Sequence, residues 1–181
     1  MSPGGKSRDR SGHHWMVILE RVLIRCCVQG IILAISNDSR RSMQKLNVFV
    51  FEDEAVLAIL IEEVLLHAGH EVRVFPRPTS CPVFKDHGMQ CSQNCRCADV
   101  IISDFQMPGM TGLDFFKLQR KRGCKLVDKN KALMSGSPLI KEMKHEIDDL
   151  GCHLIGKPFK MADLLTWVDE CGQRLCDSQP H

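Results

Sequence analysis

The chain has 181 residues, 44% hydrophobic and 25% charged, with a formal net charge of +2 at pH 7. Such a composition fits one soluble globular domain with room for an appendage. A balance so near neutral, with no Tyr and no basic run interleaved with aromatics, predicts neither a nucleic-acid nor a membrane partner. Ten cysteines are scattered without a secreted framework, and a core of this size needs no staples, so a reducing cytoplasmic compartment is expected.

Residues 1–42 differ in character from the rest of the chain. The first fourteen are rich in Gly, Ser and Arg and read as disordered. Residues 17–35 are largely apolar but carry Glu20, Arg21, Arg25 and Gln29. A membrane span wants about 20 residues with few charges, and a signal peptide wants none in its apolar region, despite the small-residue stretch Ala34-Ile35-Ser36. Arg21, Arg25 and Gln29 lie four apart, the spacing of a narrow polar stripe on an amphipathic helix. A start at Met43 would make the whole stretch upstream sequence instead. No function is assigned to it.

From Leu46 the pattern alternates between strands and helices. Val48 to Phe51 reads as a strand, and Glu52, Asp53 and Glu54 open a helix, where the dipole favours negative charge. Leu57, Leu60, Ile61, Val64, Leu65 and Ala68 form its core face, and Gly69 its stop. Glu71 to Phe75 alternates as an edge strand does. Residues 76–98 are irregular: Pro76, Pro78 and Pro82 resist regular structure, and Cys81, Cys91, Cys95 and Cys97 crowd together with His87 between them. Val100, Ile101 and Ile102 form the central strand, ending at Asp104. A helix over 113–122 comes next, capped by Thr111 and stopped by Gly123. Ala132 to Met134 ends in Ser135-Gly136-Ser137, and Ser137-Pro138 begins a helix carrying Leu139, Ile140, Met143, Ile147 and Leu150. Cys152 to Gly156 is the last strand, and its helix carries Met161, Leu164, Leu165, Val168 and Leu175. Five strands alternating with helices predict an α/β, doubly wound, five-stranded parallel sheet over 43–176, with a tail at 177–181.

Open parallel sheets place their ligands at the carboxyl ends of the strands. Glu52, Asp53, Asp104, Ser135 and Lys157 all stand at such ends. Two carboxylates about 4 Å apart repel by roughly 4 kcal/mol at an effective dielectric of about 20. A cation relieves that repulsion, and oxygen-only ligands with room for water suit Mg²⁺. Lys157 suits one phosphoryl oxygen and Ser135 another. A carboxylate nucleophile can form an aspartyl-phosphate, so the rim reads as phosphoryl transfer onto Asp104. Taken singly, each residue has a plainer use. Glu52 and Asp53 cap a helix, Asp104 and Ser135 serve turns, and Lys157 is solvated.

Residues 46 to about 175 closely resemble the receiver (CheY-like) domain of two-component response regulators. The motifs that carry it are F-E-D-E from Phe51, S-D-F-Q-M-P-G-M-T-G from Ser103, L-M-S-G from Leu133 and G-K-P-F from Gly156. The resemblance implies the flavodoxin-like strand order 2-1-3-4-5. It implies that Asp104 is the phosphoacceptor, with Mg²⁺ held by Asp53 and Asp104 directly, Glu52 through water and Gln106 by its backbone carbonyl. It makes Ser135 the switch hydroxyl and Lys157 the family lysine, with a cis bond to Pro158. Its phosphodonor would be a sensor histidine kinase or histidine phosphotransfer protein, docking at Val56 and Ile59, and its output an unknown protein. With no output domain after it, the chain reads as a stand-alone receiver rather than an enzyme.

The departures are Glu52 for the commoner Asp, Leu154 for the usual aromatic, and the Cys-rich insertion at 76–98. That insertion supports an alternative, a pseudo-receiver sensing metal or redox state. There Cys81, Cys91, Cys95 and Cys97 would bind Zn²⁺, with His87 as substitute ligand. Their spacing is not a standard finger, and free cysteines packed as small hydrophobes are the plainer reading. An aspartyl-phosphate phosphatase would want a second acid two residues after the nucleophile, where Gln106 stands.

Overall fold

The computed structural model of the protein describes residues 44–84 and 96–177. The expectations for residues 1–43, for His87, Cys91 and Cys95, and for residues 178–181 lie outside them.

The expected sheet is present. Its strands are β1 (Asn47–Phe51), β2 (Glu71–Phe75), β3 (Val100–Asp104), β4 (Lys131–Ser135) and β5 (His153–Gly156). All pairings are parallel and the order is β2-β1-β3-β4-β5. Among the described residues, four α-helices accompany it: α1 (Ala55–His67), α2 (Gly112–Lys121), α3 (Lys144–Leu150) and α4 (Met161–Asp177). Successive strand side chains point to opposite faces, so β1 feeds two apolar layers at once. Val48 and Val50 pack with Ile61, Val64 and Leu65 of α1 and Leu164, Trp167 and Val168 of α4. Phe49 and Phe51 pack with Leu113, Phe115 and Phe116 of α2 and Ile147 and Leu150 of α3. Both layers exclude water from the sheet, which is why β1, β3 and β4 read as continuous apolar runs.

Three local expectations need correction. α1 begins at Ala55, not at Glu52. The Glu52 carboxylate instead accepts from the Glu54 amide at 3.1 Å, a side-chain turn that delays the helix. The helix expected from Ser137-Pro138 is a 3₁₀ turn, Pro138–Lys141, followed by the seven-residue α3. Ile140 and Met143 are only partly buried there. Little packing thus favours a full helix across a stretch too short to hold one alone. Lys131, in sequence the end of a Lys-rich loop, is instead the first residue of β4 and fully buried. Its ammonium pairs with Asp128 at 2.7 Å and lies 5.7 Å from the Phe116 ring centre, which makes the burial tolerable.

The connection from β2 to β3 contains two 3₁₀ turns, Pro78–Ser80 and Pro82–Phe84, and buries Cys81 and Val83 against the α2 layer. The Arg122 guanidinium donates to the Val83 carbonyl at 2.7 Å and lies over Phe84. On the other side of the segment, the Asn47 side-chain amide donates to the Cys97 carbonyl at 2.9 Å.

Thr111 caps α2 as expected, accepting from the Asp114 amide at 3.1 Å, and Gly123 comes after the helix at φ +69°. Gly112 is the tightest point of the fold. A Cβ there would stand 2.3 Å from the Asp104 carbonyl oxygen and 2.8 Å from Leu133 Cδ2. Gly112→Ala is expected to push α2 away from β3 and to lower stability by about 1–3 kcal/mol, as overpacking does. A urea midpoint equal to that of the parent protein would refute this reading.

Candidate functional site

Each strand that reaches the carboxyl edge beside β3 delivers one part of the site. β1 ends at Phe51, and Glu52 is held there by its own amide, which donates to the Phe75 carbonyl of β2 at 3.1 Å. β3 ends at Asp104, whose Oδ2 accepts from the Gln106 amide at 2.6 Å. β4 ends at Ser135, whose carbonyl accepts from the Lys157 amide at 2.7 Å. β5 thus brings Lys157 into place, and its bond to Pro158 is cis, as expected.

These elements enclose a cleft of about 500 Å³ lined by Glu52, Asp53, Glu54, Asp104, Gln106, Ser135 and Lys157, with Phe105, Gly136, Ser137 and Pro138 completing the wall. The Lys157 ammonium donates to Asp104 Oδ1 at 2.5 Å and to Glu52 Oε2 at 2.9 Å. Carboxylate oxygens of Glu52, Asp53 and Asp104 all lie within 4.8 Å of one another. Opposite oxygens on an octahedral Mg²⁺ are about 4.2 Å apart, so the span suits a small hard cation. One ammonium also leaves negative charge in excess, which such an ion would balance. Ser135 Oγ accepts from the Ser137 amide at 3.1 Å, and a hydroxyl engaged as acceptor keeps its proton for a further bond.

Every expected residue of this group is therefore brought together: Glu52, Asp53, Asp104, Gln106, Ser135 and Lys157. Sequence reasoning gives no role in the cleft to Ser137, Pro138, Glu54 and Phe105. The signal for Ser137 and Pro138 is their adjacency to Ser135, but the same pair also has the chemistry of a helix start, which masks it.

The cysteines behave differently. Cys81 is buried in the α2 layer and accepts from Gln119 Nε2 at 3.5 Å. Burial pushes its thiol up to about 11, so it stays protonated and packs as a small hydrophobe. Cys97 is half-buried beside the same layer. Among the described residues, the cluster suited to a metal is the carboxylate one, not Cys81 with Cys97.

Val56, expected at a docking surface, is 47% exposed on α1, with Ile59 half-buried one turn on. Leu154 is 36% exposed on the edge strand β5, paired with Leu133 of β4.

Burial raises the Glu52 carboxyl above its ordinary 4.5, against the lowering pull of Lys157 and of the Glu54 amide. Lys157 is opposed by burial too, but its hydrogen bonds to Asp104 and Glu52 outweigh that and hold it above 10.5. The ammonium is therefore charged throughout the physiological range. A raised acid keeps its proton in the folded state at a pH where the unfolded chain has lost it. Stability consequently falls as pH climbs from the unfolded value through the folded one. Glu52→Gln removes that loss and leaves Lys157 its Asp104 partner. It should be more stable than the parent at pH 7, where the parent has ionised the buried acid. Its denaturation midpoint should decline less above pH 4.5 than the parent's. Equal declines in both proteins would overturn the assignment of Glu52 as the strained group.

No family model matches the sequence, and no curated protein matches it. Solved structures do. A Francisella response regulator receiver domain superposes with a TM-score of 0.59 at 18% identity, over 72% of this chain and 99% of that one. The Vibrio cholerae chemotaxis protein CheY4 gives 0.53 at 25% identity, over 71% and 99%. The receiver domain of a Pseudomonas aeruginosa sensor histidine kinase, with a magnesium ion coordinated in its active site cleft, gives 0.55 at 16% identity, over 72% and 99%. In its fold, strand order and helical layers, this chain is similar to the receiver domains of response regulators.

Proposed function

We propose that the protein is a phosphorelay receiver whose Asp104 accepts a phosphoryl group from a phosphohistidine. The observation that carries this reading is the convergence of Glu52, Asp53 and Lys157 on Asp104 in one open cleft. An Asp104 oxygen attacks phosphorus, the bond from phosphorus to the imidazole nitrogen breaks with its electron pair going to that nitrogen, and the donor imidazole, already protonated on its other ring nitrogen, leaves neutral. Lys157 donates to a phosphoryl oxygen as charge gathers there, and Ser135 offers its hydroxyl to another. The Gln106 amide, already on Asp104 Oδ2, fixes the carboxylate so that one oxygen is presented for attack. Asp53 and Asp104 would hold Mg²⁺ directly, Glu52 through water, and Gln106 through its carbonyl. When bound, the ion neutralises charge shared between the carboxylates and the phosphoryl group.

The donor is a histidine kinase or histidine phosphotransfer protein docking on α1 around Val56 and Ile59, and the output is a protein contact. The described cysteines are free thiols, which fits a cytoplasmic site of action. No helix among the described residues is long and apolar enough to cross a membrane. The phosphatase alternative is weakened at Gln106, an amide where a general acid is wanted. The metal- or redox-sensing alternative is weakened at Cys81, buried and engaged in packing.

With Mg²⁺ and acetyl phosphate the protein should gain one acid-stable, hydroxylamine-labile phosphoryl group by mass spectrometry. Asp104→Asn keeps the shape without the nucleophile and should abolish it. Full labelling of that variant would end the proposal. Asp53→Asn should slow labelling and weaken Mg²⁺ binding, as one of few protein carboxylates is lost.

The switch lies with Ser135 rather than Leu154. A ligand shifts an equilibrium only by its differential free energy for the two states, and the phosphoryl contact to Ser135 supplies that difference. Ser135→Ala should uncouple phosphorylation from partner affinity. Leu154→Ala, at a half-exposed edge position, should change affinity only modestly. Partner affinity measured with and without phosphorylation checks both, and the reverse result would move the switch to Leu154.

A further inference from the structure

The stretch from the second half of α2 into β4 is strongly one-sided in charge. Residues 117–131 hold seven basic side chains and one acid, Asp128. Four of the seven cations are used inside the fold. Lys117 pairs with Glu146, and Arg122 donates to the Val83 carbonyl. Arg120 and Lys131 both pair with Asp128, at 2.7 Å each, which takes up the acid of the stretch. Lys121, Lys125 and Lys129 are left exposed, and among the described residues none of them has an acidic partner. A groove of about 300 Å³ beside Lys121 is also lined by Glu146 and Asp149, but Lys117 and His145 hold those acids.

Val127 lies between Lys125 and Lys129 in the chain and is 54% exposed, more than any other large apolar side chain among the described residues. Its neighbour Leu126 is buried, so the turn grips the core with one aliphatic group and presents the next outward. The backbone here is pinned. The Asn130 amide donates to the Val127 carbonyl at 3.0 Å, and the buried Asn130 side chain donates to the Asp99 carbonyl at 3.0 Å. Arg174 donates to the Lys129 carbonyl at 3.3 Å, and the Arg120–Asp128 pair folds the turn back onto the end of α2.

A fixed array of three ammoniums around one aliphatic side chain selects its partner by charge and shape. A second copy meeting it across a two-fold axis would set lysine against lysine. Nucleic acid would find charge but no ring for stacking, since Phe115 and Phe116 are buried. A membrane interface wants an amphipathic helix with a broad apolar face, and one valine supplies little of that. A protein segment with carboxylates on both sides of an apolar residue matches the lysines and the valine together.

We infer that the 121–129 turn docks an acidic protein segment, with its carboxylates on Lys121, Lys125 and Lys129 and an apolar residue against Val127. β4 runs from this turn to Ser135, and its five residues put about 13 Å between the turn and the cleft. Docking is therefore independent of the chemistry at Asp104, and it gives the protein a standing partner besides any that phosphorylation selects.

The probe is a fluorescent peptide with glutamates on both sides of one leucine, titrated with the full-length protein at low ionic strength. It should bind, and the Lys121→Glu/Lys125→Glu/Lys129→Glu variant should bind at least about tenfold more weakly, since exposed ion pairs contribute up to about fivefold each. Val127→Ser should weaken binding several-fold for this peptide and leave binding of its leucine-to-serine version unchanged. Carbodiimide, which joins carboxylates to amines, should couple the peptide to Lys121, Lys125 or Lys129 of the parent protein, as read by mass spectrometry. If the triple variant loses its urea midpoint, that coupling pattern decides alone. Undiminished binding by a folded triple variant, or coupling confined to other lysines, overturns the inference. So does tighter binding of phosphatidylserine vesicles or of a single-stranded oligonucleotide, which would give the turn to another class of partner. Acetyl phosphate with Mg²⁺ should leave the peptide's affinity unchanged, and a several-fold change would overturn the independence from Asp104. If acetyl phosphate labels nothing while the peptide binds, the receiver reading falls and the docking turn stands.

Discussion

The charge imbalance around Asp104 is the constraint on which the rest of the structure depends. Among the described residues, Glu52, Asp53, Glu54 and Asp104 share a cleft wall with a single ammonium, that of Lys157. Lys157 reaches both Asp104 and Glu52, and holds two carboxylates that would otherwise repel at close range. Glu52 bears the cost most plainly, being 3% exposed and raised in pKa by its burial. A fold selected for stability alone would place an amide or an apolar group there. Such local cost is what a site kept short of positive charge looks like, and it leaves negative charge that a cation could balance.

The sheet makes this arrangement rigid rather than the side chains themselves. Glu52 comes directly after β1, Asp104 ends β3, Ser135 ends β4, and Lys157 comes directly after β5. Each is fixed by a backbone bond to a neighbouring strand or turn: Glu52 to Phe75, Phe105 to Met134, Lys157 to Ser135. The β2 strand contributes no side chain to the cleft but positions Glu52 through its last carbonyl. Gly112 completes the frame by letting α2 start against the Asp104 carbonyl, where no larger residue fits.

Most of the fold and the core of the site are legible in the sequence because both rest on local signals. Apolar runs ending in charged residues locate β1 and β3, and Gly69, Gly123 and Gly151 mark helix ends, where each has positive φ. The illegible parts depend on tertiary partners. Lys131 reads as a loop lysine until Asp128 and the Phe116 ring are placed beside it. The break between Pro138–Lys141 and α3 comes from weak packing of Ile140 and Met143, which periodicity alone cannot weigh. The Glu52 turn onto the Glu54 amide likewise competes with helix initiation, and three consecutive acids give no sign of which wins. Cys81 looks like part of a metal cluster by spacing, yet α2 and Gln119 claim it for the core.

The two ties that flank residues 85–95 have a consequence for how this protein can change. Arg122 grips the Val83 carbonyl on one side and Asn47 grips the Cys97 carbonyl on the other. Arg122 lies just past α2 and Cys97 just ahead of β3, so both ties lie at the rim remote from the acidic cleft. With its ends pinned there, the stretch between them can lengthen at little entropic expense, since closure grows only with the logarithm of length. It is the natural point for grafting a reporter or a foreign peptide without the carboxylate cleft registering the difference.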